Sequence, residues 1–161
     1  MVSNECVEEA FTTINHYSDE EMHREFERFF LGQPALCDFV MELTSESGQI
    51  IQGLTLFMSY IVLKATELSV DGNLDVVVPT SVEQAYRESE AWIEKMTQVV
   101  ETELGSAMAS MAPEELEPHL LEYVVSTLND PLEDGTELTD EQKGEVFLAL
   151  KTVIASVSRS T

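Results

Sequence analysis

Positive charge is the scarcest feature of this sequence: 8 lysines and arginines stand against 31 aspartates and glutamates, for a net charge of −23. Nucleic acid and anionic lipid are held largely by Lys and Arg set against phosphate, so neither is an expected partner. The surface favours a basic protein, a divalent cation or plain solubility, and four lysines in the whole chain also fit a salt-rich cytoplasm. Cysteine is nearly absent. Cys6 and Cys37 make no C-x-x-C pair and are too few for a disulfide scaffold. Two reduced, mostly buried thiols in a cytosol are expected, with a bond between them as the alternative. Long apolar runs are missing too. The most apolar stretch, Gly53 to Leu63, covers about 11 residues, well short of the roughly 20 that a bilayer-spanning helix needs. Met1 to Phe11 has neither a basic nor an apolar leader region, so no secretory signal is expected there and the expected location is cytoplasmic.

Catalytic signatures are absent as well: no G-x-S-x-G, no phosphate-cradling Walker loop and no G-x-G-x-x-G. Three histidines, His16, His23 and His119, leave few nucleophile–base pairs, and neither cysteine has the basic neighbours that lower a thiol pKa. No unit of 20–50 residues repeats.

What is present is helical periodicity. At 161 residues with 43% hydrophobic residues, the chain is expected to form one domain over 1–161 without a metal or disulfide staple. Cys6, Val7, Ala10, Phe11 and Ile14 share one face of Asn4 to Asn15. Ser18 and Glu21 form a capping box ahead of Met22, Phe26, Phe29 and Phe30. Gly32 ends that helix, and Pro34 opens the one carrying Leu36, Phe39, Val40 and Leu43. Ile50 to Leu68 is apolar nearly all round, the mark of a helix surrounded by others. Whether it continues the third helix through Gly48 is left open by the pattern.

Asp71, Gly72 and Asn73 read as a turn, and Val76 to Val78 as a short extended piece with nothing to pair with. Thr80 and Glu83 predict a second capping box. The following seam runs through Val82, Tyr86, Ser89, Ile93, Met96, Val100 and Leu104, widened by Trp92 and Val99, and the opposite face carries Glu83, Arg87, Glu88, Glu90, Glu94 and Glu101. Gly105 to Ala112 is a small-residue linker in which Met108 and Met111 suit either an adaptable partner surface or core filling. Pro113 and Pro118 bracket a turn; Leu116, Leu120, Leu121, Val124, Val125 and Leu128 follow. Thr139 and Gln142 make a third box before Val146, Phe147, Leu150, Val153, Ile154 and Val157. The expected fold is all-α: an irregular bundle of six or seven helices around a central apolar helix at about 49–69.

The sharpest local pattern is the stretch from Asp130 to Glu141. A calcium loop wants oxygen ligands at positions one, three, five and twelve, with Gly at six. Asp130, Asp134, Gly135 and Glu141 fill one, five, six and twelve. Leu132 at three offers no side-chain oxygen, Glu137 at eight stands where an apolar residue packs, and Pro131 at two is awkward. The competing reading is a helix–helix loop whose Asp and Gly make turns. Asp71, Asn73 and Asp75 form a weaker triplet, followed by Val76 and Val82 where Gly and Glu would stand. Glu20 and His23 have the spacing of half a di-iron site, but no second Glu-x-x-His exists; His119 follows Glu115 by four residues, not three.

Three functions compete at this level. The first is a non-catalytic interaction or regulatory module, meeting a basic protein or a second copy of itself. The second is a calcium binder using Asp130, Asp134 and Glu141. The third is an enzyme whose helical pocket gathers residues distant in sequence. No cofactor is expected under the first.

Overall fold

The computed structural model describes residues 2–100, 117–132 and 134–160. Glu101, Leu104, the 105–112 linker with Met108 and Met111, Pro113, Glu115 and Leu116 lie outside them. Among the described residues there are seven helices and no strand: α1 (Asn4–Asn15), α2 (Asp19–Gly32), α3 (Pro34–Leu43), α4 (Gln49–Val70), α5 (Pro79–Val100), α6 (Pro118–Asn129) and α7 (Asp140–Ser160). The all-α expectation holds.

Local chemistry sets most of the helix ends. The Ser3 hydroxyl caps α1 by accepting from the Cys6 N–H at 3.2 Å. Ser18 and Glu21 form the reciprocal box at the start of α2, where Asp19, Glu20 and Glu21 also complement the helix dipole. Thr139 and Gln142 do the same for α7, with bonds of 2.9 and 3.1 Å. The expected box at Thr80 does not form. Proline suits the first turn of a helix, so α5 starts at Pro79, two residues before the Ser81 start that a Thr80 cap implies, and the Val78 carbonyl accepts from Ser81 and Val82. Glu83 pairs with Arg87 instead.

Gly48 settles whether α3 and α4 are one helix. Its φ of 91° is open to glycine at little cost, and it separates the two. At 22 residues α4 is long and apolar enough to cross a bilayer, yet half of its most apolar window is buried against other helices. Its second half is enclosed: Met58 to Leu63, Ala65 and Thr66 are all buried. The buried hydroxyls of Thr55, Ser59 and Thr66 each bond a carbonyl one turn back, which satisfies these three within the helix. The first half is open on one side, and Ile50 is 67% exposed.

The last helix shares the centre. Helix α7 packs against α5, α4, α6 and α3, and Val146, Phe147, Leu150, Val153, Ile154 and Val157 are all buried along it. The Phe147 ring lies 6.2 Å from Trp92, whose face also carries the Lys151 ammonium at 4.7 Å.

Two polar details fasten helix α2. Arg28 donates from Nε to Glu25 at 2.9 Å and from both Nη atoms to Glu67 at 3.0 and 3.2 Å, tying α2 to α4. Burial pushes the Glu25 carboxyl up, but the hydrogen bond and charge of Arg28 outweigh it and hold the group below the usual glutamate range. Phe30, expected in the α2 stripe, is 40% exposed. Met22, Phe26 and Phe29 hold the inner face, and Phe30, one residue beyond Phe29, rotates off it to stack edge-on against the Phe29 ring at 5.8 Å.

Gln33, alone between α2 and α3, is buried, and its amide serves a backbone that has no strand partner. Its Nε2 donates to the Asp75 carbonyl and its Oε1 accepts from the Val77 N–H, both at 2.9 Å. The 75–77 segment is thereby held extended, with Val77 buried and Val76 and Val78 outside. Gln33→Leu is expected to strand the buried Val77 N–H. The cost is about 1–3 kcal/mol, seen as a melting temperature lower by several degrees. Tyr60→Phe should behave differently. Among the described residues the buried Tyr60 hydroxyl makes no hydrogen bond of ordinary geometry, although the Glu25 carboxylate and the Tyr17 hydroxyl act on it, so its removal is expected to leave the melting temperature nearly unchanged. A clear fall would show that the hydroxyl is bonded.

Candidate functional site

Helices α3, α5 and α7 do not close on one another at one end. They enclose a cleft of about 1040 Å³. Helix α3 contributes Ala35, Phe39 and Leu43, spaced four residues apart and so stacked along one face, with Asp38 and Glu42 beside them. Helix α5 contributes Pro79, Val82, Glu83 and Tyr86. The opening turns of α7 supply Glu141, Gln142 and Glu145, and the α3–α4 loop supplies Ser45, Glu46 and Ser47.

The cleft therefore has two zones. Its floor is apolar and aromatic: Phe39 and Tyr86 meet edge-on at 5.6 Å between centroids. The Tyr86 hydroxyl donates to Glu90 at 2.9 Å, which pushes its phenol pKa up. Its rim carries six carboxylates, from Asp38, Glu42, Glu46, Glu83, Glu141 and Glu145, and no lysine or arginine is among the described residues that line it. The Ser47 hydroxyl donates to Glu145 and ties the loop to α7. A carboxylate is a weak base for a serine proton, and no histidine lines the cleft to assist. The arrangement offers carboxylates that can pair with cationic groups beside an apolar floor.

The residues singled out by sequence lie mostly elsewhere. Asp130 follows the last turn of α6 and gives its N–H to Thr127. Asp134 turns back on its own loop: its carboxylate accepts from the Thr136 N–H at 2.9 Å, and that bond lowers its pKa. Gly135, at φ 85°, allows the reversal, and Leu132 and Thr136 bond across it at 2.8 Å. Glu141 lies in the first turn of α7 and lines the cleft. The three are not brought together, and among the described residues no group of three or more His, Cys, Asp or Glu is placed to hold a metal. Millimolar calcium is accordingly expected to leave the melting temperature unchanged. A rise of several degrees would mean that Asp130, Asp134 and Glu141 gather around the ion.

Glu20 and His23 are exposed on α2. His16 is bonded to the Thr12 carbonyl at 2.7 Å, and His119 stands 4.0 Å from Glu122. Asp71 ends α4 in the left-handed conformation, φ 52°, and the Asp75 carbonyl is taken by Gln33. Cys6 and Cys37 are unlinked. Burial, followed by the charge of Asp38, pushes the Cys37 thiol up to about 12.

Sequence reasoning missed the cleft. Its signal was partial: the Ala35–Phe39–Leu43 spacing beside Asp38 and Glu42 is legible, but the approach of α5 and α7 is not. The chain matches no protein-family model, no curated protein and no solved structure.

Proposed function

We propose that this protein is a non-catalytic interaction module that receives a basic protein segment in the α3/α5/α7 cleft. One observation carries the reading: six carboxylates, of which Glu83 is paired with Arg87, surround an apolar floor that no lysine or arginine lines among the described residues. A cationic partner would pair with these carboxylates while its apolar side covers the floor. Self-association is the weaker form of the idea, because two copies each at −23 repel.

The test is titration of a fluorescent lysine-rich peptide, with a glutamate-rich peptide of equal length as the control. The reading predicts saturable one-to-one binding of the basic peptide alone, weakening from low salt to about 0.15 M, where exposed charges are screened beyond roughly 8 Å. No binding at low salt, or binding without saturation, would overturn it. A dimer at micromolar concentration by sedimentation would favour self-association instead.

A further inference from the structure

The shape of the cleft narrows the partner beyond its charge. We propose that the bound segment is a basic amphipathic α-helix of two to three turns, an inference that rests on the basic-partner reading above. Three features carry it.

The first is backbone accounting. The cleft is walled mainly by helices, with the short 45–47 loop on one side, and among the described residues no strand offers an open edge. An extended peptide seated on the apolar floor would find no ladder to pair with, and its own backbone groups would lose water without compensation. A helix satisfies them internally.

The second is length. Ala35 to Leu43 spans nine residues of α3, roughly 12 Å over its eight steps of 1.5 Å. Slightly more than two turns of a bound helix cover that distance, so apolar residues at i, i+3, i+4 and i+7 fall along the strip.

The third is the placement of charge. Asp38 and Glu42 run along α3 beside the strip, Glu83 lies on α5, and Glu141 and Glu145 flank the far side on α7. Acids therefore border the floor on more than one side. A helix that turns its apolar stripe to Phe39 and Tyr86 holds lysine or arginine on both shoulders within reach of these rims.

Three peptides of about 14 residues and identical Leu and Lys composition test this. One places Leu at helical spacing, one scatters the Leu residues around the helix, and one keeps the spacing but carries a central proline. Affinity is read by anisotropy and helicity by circular dichroism. The patterned peptide is expected to bind at least about tenfold tighter than either control and to gain helicity on binding. Phe39→Ala, checked by its own melting curve, is expected to remove most of that preference while leaving the weak binding of the scattered peptide. If the scattered and proline peptides bind as tightly as the patterned one, the helical inference fails and the basic-partner reading stands. If none of the three binds, both fail. The comparison among peptides on the unaltered protein gives this answer even where Phe39→Ala does not fold.

Discussion

Phe147→Ala is expected to cost the fold about 3–5 kcal/mol, the range for deleting a buried aromatic ring and leaving a cavity. Phe147 is fully buried on the helix that contacts α3, α4, α5 and α6, and its ring meets Trp92 from α5. The space left cannot collapse easily, because its walls belong to several helices anchored elsewhere. Against a total stability of order 5–15 kcal/mol, such a loss leaves a marginal protein. Thermal unfolding should shift down by roughly 10 °C, at about 2–4 °C per kcal/mol for a chain of this size. Leu148→Ala, one position along at a half-buried site, should shift it much less. Equal losses at the two positions would contradict the central place given to α7.

The second large effect concerns binding. Reversing two rim charges, Glu42→Lys with Glu145→Lys, is expected to weaken a lysine-rich peptide by at least about tenfold. Each change removes an attraction and adds a repulsion on opposite walls of one cleft. The matched control is Glu5→Lys with Glu9→Lys, both exposed on α1. It raises net charge by the same amount and should leave affinity within about threefold in physiological salt, where more distant charges are screened. If the two double variants weaken binding equally, the peptide responds to overall charge and the cleft is not its site.

The helices were legible because each is written locally. Asn4 to Asn15 carries its apolar face within itself, and the Ser18–Glu21 and Thr139–Gln142 boxes need only residues three apart. Thr80–Glu83 has the same spelling, but Pro79 suits a first helical position and takes precedence. The role of Gln33 was not legible, because a glutamine that bonds a backbone over forty residues away leaves no local trace.

The Asp130 loop is ambiguous in sequence for a physical reason. Aspartate and glycine are what a calcium loop needs and also what a tight turn needs. One oxygen of Asp134 accepts from the Thr136 N–H, the turn use. Glu141, read as the last ligand of that loop, belongs to the cleft by virtue of its place on α7. The cleft itself is a meeting of three helices far apart in the sequence, and in a chain with 31 acids the six that line it look like any others.

The central claim is that the α3/α5/α7 cleft, and not the acidic surface at large, takes the basic segment. Backbone amide shifts recorded during titration with the patterned peptide test it most directly. The account predicts saturating changes concentrated at Phe39, Glu42, Ser47, Tyr86 and Glu145, with Glu5, Glu9 and Glu122 little moved. Changes spread evenly over acidic residues of α1, α2 and α6 would contradict it.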